Sequence, residues 1–365
     1  MKINSFLHRA LVGGLLLTNT LFFTSCDPEP ANPTPKGAYQ TGVFIVNEGN
    51  FQKGNGAISY FDRDTKTVEK DIFNAVNSRP AGDVVQSMFI HNDKAYIVAN
   101  NSNKVEVVDA NTFIWEATIS GLALPRYFAV ANNKGYVTEW VGFSGNGRVA
   151  VIDLNTNIIT KTIPVGSTPE QMLVVNNKLY VSNSGSNTLS VINTTTDAVE
   201  TTVTVGPGPG NLVLDATSKL WVACAGNKVY KPDYSGYDEN ASTPGSLIRL
   251  NPATNAIEAT LPFASTVEIP KDLTSNEARN KLYYHYAGKI YQLDISATTL
   301  PTNAFTNRRF TGEGFGLGVE PATGTVYAAD PGFYTANGKV IRYNSTGSPL
   351  DSFEVAIGPN GFVFR

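Results

Sequence analysis

Gln86, Tyr127, Gln171, Asn211, Asp272, Gly314 and Asn360 stand at corresponding points along this chain, each at the start of a short apolar run. Several follow a proline by two positions, as in Pro125-Arg126-Tyr127, Pro169-Glu170-Gln171, Pro209-Gly210-Asn211 and Pro270-Lys271-Asp272. Amides and a phenol both donate and accept hydrogen bonds, so gathered into a ring they suit a polar, uncharged small ligand better than a bare ion. A water-filled opening with no ligand is the other use of such a ring. A second group is aromatic and sits in loops: Glu48, Asn50 and Phe51, then Trp140 and Phe143, then Tyr234 and Tyr237 beside Tyr230, then Phe333 and Tyr334. Rings of this kind bury large area with few torsions to freeze, which suits gripping a ligand. The same rings can instead pack long loops onto their scaffold. If these residues grip a ligand, Trp140→Ala or Tyr127→Ala should weaken it while leaving thermal unfolding almost unchanged.

Signals for catalysis are sparse. Beyond the N-terminal segment the only histidines are His91 and His285, far apart in the chain, which excludes a histidine-rich metal centre and leaves few members for a Ser-His-Asp arrangement. His91 reads as a solvated turn residue, and His285, just after Tyr283-Tyr284, as a structural residue or one at the rim of a pocket. Asp330-Pro331-Gly332 and Glu313-Gly314 lack the dense alternating carboxylates of a calcium loop. Gly312-Glu313-Gly314-Phe315-Gly316 leads into a strand and not a helix, so it is no phosphate loop. No catalytic residue, cofactor or metal is expected, and the chain reads as a binding protein.

The elements that must position these residues repeat seven times. An aromatic anchor in a short strand recurs as Phe44, Tyr96, Tyr136, Tyr180, Trp221, Tyr283 and Tyr327, and five of these follow a Lys by two positions. A second alternating strand follows each and ends in Asp or Asn, at 62, 109, 153, 193, 251, 294 and 344. A period near forty residues with four short strands per unit implies an all-β, seven-bladed β-propeller of four-stranded antiparallel blades over 41–365, because no unit can bury both its faces alone. The first unit lacks its inner strand, while the chain ends in Gly358-Pro359-Asn360-Gly361-Phe362-Val363-Phe364, so the C-terminal strand is expected to complete the first blade. Turns such as Asn132-Asn133 and 153–156 are short and alike. The loops after the anchors are uneven, the next strand beginning 14, 9, 13, 9, 26, 7 and 13 positions later, and these carry the aromatics. One face is uniform and the other variable, and binding sites favour variable loops on a rigid scaffold.

Residues 1–25 read as a signal peptide: Lys2, His8 and Arg9 precede a broken apolar run too short to span a membrane. Residues 26–40 read as a tether, since Pro28, Pro30, Pro33 and Pro35 stiffen it and give roughly 35 Å of reach at about 3.1 Å per residue. Loss of Lys2 and Arg9 moves the formal charge from -3 to -5, and no basic stripe exists, which argues against a nucleic-acid partner. Phe23-Thr24-Ser25-Cys26 is similar to the lipobox of bacterial lipoproteins, which implies lipidation at Cys26; an ordinary signal peptide with an incidental Cys is the alternative. A lipidated Cys26 would leave Cys224 without a disulfide partner. Asp27-Pro28-Glu29-Pro30 resembles the surface-export signal of Bacteroidota lipoproteins, implying an outer-membrane anchor with the domain facing the exterior.

Lys178-Leu179-Tyr180-Val181-Ser182-Asn183 with Asn187-Thr188-Leu189-Ser190-Val191-Ile192 resembles the YVTN or YncE-like propeller family over nearly the whole domain. The opening Val46-Asn47-Glu48-Gly49-Asn50-Phe51, taken with the lipobox, is similar to the Bacteroidota surface-lipoprotein propellers that include BtuG-type proteins. That resemblance implies capture of a corrinoid such as vitamin B12 and delivery to a TonB-dependent outer-membrane transporter, by a propeller that is itself monomeric. A protein-interaction or adhesion platform on the same loop face, and a lactonase-like or quinone-linked enzyme, are the alternatives.

Overall fold

The computed structural model describes residues 36–306, 310 and 316–365. The signal peptide, Cys26, most of the tether and ring position Gly314 lie outside the described residues.

Alternating apolar residues, above all in the middle strands, bury both faces of each sheet, and seven antiparallel sheets result. Six have four strands, and the sixth blade has three among the described residues. On the outer side of its Lys289–Asp294 strand, Phe305 N–H donates to Ile290 O (2.8 Å) and Phe310 N–H to Gly288 O (2.9 Å). The innermost strands are Val85–His91, Pro125–Ala131, Pro169–Val175, Pro209–Leu214, Lys271–Ser275, Leu317–Val319 and Pro359–Phe364. Each packs on the next, and the last packs on the first, closing the ring. As expected, the C-terminal strand joins the first blade, running from Val43 opposite Phe364 to Asn47 opposite Pro359.

The core is seven apolar layers, one between each pair of neighbouring blades. Strand alternation divides each blade between two layers: Tyr96 faces the third blade while Ile97 faces the first. All seven anchors are buried. The Asp or Asn ending each third strand has a local role, since its side-chain oxygen accepts backbone N–H groups of the turn that follows, as Asp109 does from Asn111 and Thr112. The same contact occurs at Asp62, Asp153, Asn193, Asn251, Asp294 and Asn344. Asn132-Asn133 and Asn176-Asn177 have positive φ at both residues, as two-residue hairpin turns require.

The last part of the tether lies against the propeller. Tyr39 is buried edge-on to Tyr60 and Phe113, its N–H donates to Asn111 O (2.9 Å), and Lys36 pairs with Asp93 (2.9 Å). Asp93 and Asn111 belong to the short, uniform turns, so residues 36–40 cross the face opposite the variable loops.

Candidate functional site

The six described ring residues, Gln86, Tyr127, Gln171, Asn211, Asp272 and Asn360, line one axial cavity of about 340 Å³. Met88, Leu212, Leu273 and Phe362 add apolar surface to the same lining.

A repeated backbone device aims these side chains. In five blades the residue ahead of the inner strand is left-handed: Val84 (φ 53°), Leu124 (φ 49°), Thr168 (φ 42°), Gly208 (φ 64°) and Gly358 (φ 68°). Its carbonyl accepts the first N–H beyond the neighbouring strand, from Asn100, Trp140, Ser184, Ala225 and Glu48 respectively. The inner strand then carries a bulge with an extra residue, at which Gln86, Tyr127, Gln171, Asn211 and Asn360 lie. A bulge re-aims a side chain out of strict alternation, here toward the axis. Val84 and Thr168 are β-branched, and Leu124 and Thr168 precede proline, so this conformation is strained and is held by the ring around it. In the sixth blade Asp272 itself is left-handed (φ 56°), and its carboxylate meets the buried His285 Nδ1 at 3.0 Å.

The ring carries more charge than its amides suggested. Arg126 spans three blades: it pairs with Glu170 (3.1 Å), donates to Gln86 Oε1, and its guanidinium lies 4.2 Å from the Trp140 ring centre. Burial pushes the Glu170 carboxyl up, opposed by the Arg126 charge. Burial, then the Glu170 charge, raises the Tyr127 hydroxyl, so it remains a donor at neutral pH. Neither Arg126 nor Glu170 was singled out from sequence; their one signal is position, immediately before Tyr127 and Gln171.

Glu48, Asn50, Tyr334 and Asn360 also meet. Glu48 accepts from Tyr334 Oη (3.0 Å) and Asn360 Nδ2 (3.0 Å), and Asn50 Nδ2 donates to Tyr334 O (2.8 Å). Burial, then the Glu48 carboxylate, pushes the Tyr334 hydroxyl up. Phe51 (56% exposed), Phe143 (76%) and Phe333 (68%) stand outside the cavity wall on the same loop face. Tyr234 and Tyr237 do not line the cavity; Tyr230 gathers them into a cluster of the long insertion, with ring centres 6.0 and 4.7 Å away. Because Trp140 lies under the Arg126 guanidinium, Trp140→Ala is expected to lower stability as well, and Phe143 is the cleaner probe of binding. Among the described residues no three His, Cys, Asp or Glu side chains come together to hold a metal ion.

Thr138 holds the Tyr127 bulge. Its Oγ1 accepts the Tyr127 N–H (3.1 Å) and donates to Glu170 O (2.9 Å) from a fully buried position. Thr138→Val is expected to cost about 1–3 kcal/mol by orphaning that N–H, read as a lower unfolding midpoint in calorimetry. An unchanged midpoint would mean the hydroxyl does not hold the bulge.

The fold and cavity define a seven-bladed β-propeller with a polar mouth on its variable-loop face. The chain belongs to the family described as a domain of unknown function, DUF5074, whose model matches residues 41–364. No curated protein sequence matches it significantly. Among solved structures it is similar to a quinoprotein alcohol dehydrogenase-like protein of Bacteroides thetaiotaomicron (14% identity, 89% of this chain and 78% of that one, TM-score 0.65). It is also similar to the periplasmic gluconolactonase of Pseudomonas aeruginosa (13%, 88% and 99%, TM-score 0.63) and to a functionally unknown protein of Desulfotomaculum acetoxidans (11%, 89% and 98%, TM-score 0.63). At these identities the similarity shows the fold alone: the expected β-propeller stands, and the comparisons do not reach the finer YVTN-like or BtuG-type assignment.

Proposed function

We propose that this propeller is a surface-anchored binding protein that captures a small polar ligand at its axial mouth, with a corrinoid such as vitamin B12 as the ligand to test. The observation that carries this reading is the convergence of six polar residues, spread from Gln86 to Asn360, on one cavity beneath exposed aromatics. Beside them Arg126 is paired with Glu170, and the Asp272 carboxylate meets His285 Nδ1, which favours a neutral ligand over an ion. The cavity takes only part of a corrinoid; the remainder would lie on the loop face against Phe51, Phe143 and Phe333.

In this reading Cys26 carries the lipid and the protein stands on the outer membrane. Residues 36–40 lie on the face opposite the mouth, and the bound ligand would pass to a TonB-dependent transporter. The purified protein is expected to co-elute with cobalamin and show its visible absorption. A Phe143→Ala/Phe333→Ala double variant should weaken binding about tenfold or more with an unchanged unfolding midpoint. Absence of heat or absorbance change at high-micromolar cobalamin would remove the corrinoid. If the same aromatic face serves a protein partner instead, pull-down from solubilised outer membranes recovers one with no small molecule bound.

A further inference from the structure

An innermost strand is paired on one edge only, with the second strand of its own blade. Surface left on its apolar side chains therefore faces the propeller axis. Phe89, Val130, Met172, Leu173 and Val174 are half-buried side chains of this kind, whereas Tyr96, Val137 and Tyr180 on the adjoining strands are fully buried. Together with Met88 they line a second cavity, of about 360 Å³. Ser87, Met88, Tyr127 and Gln171 belong to its lining and to that of the mouth, so the two spaces adjoin. Val130 follows Tyr127 by three positions on one strand, which carries this chamber roughly 10 Å from the ring toward the uniform turns.

The chamber differs from the mouth in its chemistry. None of the described residues lining it is Asp, Glu, Lys, Arg or His. Its polar side chains are those it shares with the mouth, and two are already engaged: Ser87 Oγ donates to Arg126 O (2.7 Å) and Gln171 Oε1 accepts the Leu212 N–H (3.2 Å). Met88 and Met172 are unbranched and can adapt to the shape of an occupant. Water finds few partners among such side chains, whereas a hydrocarbon group gains by covering them.

We infer that the axial site has two parts: the polar mouth takes the head of the ligand, and the chamber behind Tyr127 and Gln171 takes an uncharged alkyl or aryl group attached to that head. An apolar cavity of about 150 Å³ holds benzene, so a single ring or a chain of about six carbons has room here. A charged or hydroxylated tail would lose its hydration with little in return.

This assignment rests on the binding role proposed for the mouth, and simple alcohols test it separately from any corrinoid. The chain has three methionines, and Met88 and Met172 both line the chamber, so NMR of the full chain with carbon-13 in the methionine methyls reads its occupancy. Met88→Leu and Met172→Leu assign the two signals. Titration with 1-hexanol should shift both to saturation. From 1-butanol to 1-hexanol the dissociation constant should fall about tenfold, since each buried methylene is worth about three- to fourfold. The diol 1,6-hexanediol, equal in length but with a hydroxyl at its far end, should bind about tenfold more weakly than 1-hexanol. Val130→Phe fills the chamber from the third blade and should weaken 1-hexanol about tenfold. Val130→Leu, a smaller intrusion, serves if the ring disturbs folding, and should weaken it about threefold. Unmoved methionine methyls, affinity indifferent to chain length, or equal binding of the alcohol and the diol overturns the assignment. If cobalamin binds in that case, the role of the mouth stands and only the chamber falls. If 1-hexanol fills the chamber and cobalamin does not bind, the corrinoid falls alone; if neither binds, both fall.

Discussion

A chain ending at Ile357 is expected not to fold to a stable monomer. Removing residues 358–365 strips the first blade of its inner strand and exposes the hydrogen-bonding edge of Val43–Asn47. Phe362 and Phe364 leave Tyr327, whose ring centre lies 5.8 and 5.3 Å from theirs. Each is partly buried and forfeits part of the roughly 1.5–3 kcal/mol that full burial of such a ring is worth. The Arg365 contacts to Gly42 O (through its N–H, 3.0 Å) and Ala110 O (through Nη1, 2.7 Å) go too. Together with the lost ladder this approaches the whole stability of a domain, about 5–15 kcal/mol. Size-exclusion chromatography and circular dichroism should show aggregation and loss of a cooperative transition. A circular permutant opened at the Asn176-Asn177 turn, with residues 43–47 and 359–364 kept in one molecule, should fold. A truncated monomer with an unchanged melting midpoint would refute the clasp.

Arg126→Ala is expected to be the most damaging single substitution at the mouth. Arg126 and Glu170 are each mostly buried, with 15% and 14% of their side chains exposed, so removing the cation strands a carboxylate. Breaking such a pair costs about 2–4 kcal/mol, less than a fully buried pair because some solvent reaches it. The loss should depend on pH. Burial already holds the Glu170 carboxyl above its ordinary value of 4.5, so the native state binds that proton more tightly than the unfolded chain. The resulting contribution to stability is complete below the unfolded value and disappears as pH rises through the folded one. Without Arg126 the folded value climbs further, and the deficit of Arg126→Ala should be largest at about pH 8 and smaller at about pH 5. Glu170→Gln added to Arg126→Ala should recover stability and flatten that dependence. A deficit equal at both pH values, with no recovery in the double variant, would mean that Arg126 acts through its stacking on Trp140 alone.

Much of the molecule was legible because its determinants are local. Seven Tyr-like anchors, the Asp or Asn ending each third strand and the Asn-rich hairpins act through alternation and through contacts two or three residues away, as at Asp62 and Asp153. The missing first strand and the unused last one could pair only with each other, so closure was legible as well. The ring positions were legible as a recurrence, though not as bulges, because a left-handed Val84 or Thr168 runs against the preference of its own residue type. The fourth strand expected in the sixth blade is represented among the described residues by Phe305 and Phe310, which bond its outer edge at Ile290 and Gly288.

By itself, then, the sequence determined the number of blades, the order of their strands, the closing strand and the face on which variable loops gather. Tertiary structure alone decided what the mouth offers. Arg126 meets Glu170 across 44 residues and Asn360 meets Glu48 across 312, and these contacts turn each amide to present one end. The same holds for the Trp140 beneath Arg126, the tyrosines clustered on the long insertion away from the cavity wall, and the end of the tether crossing the opposite face. The physical reason is that periodicity places a residue on a face, whereas the direction of a donor or a charge is set by partners in neighbouring blades that become neighbours only when the ring closes.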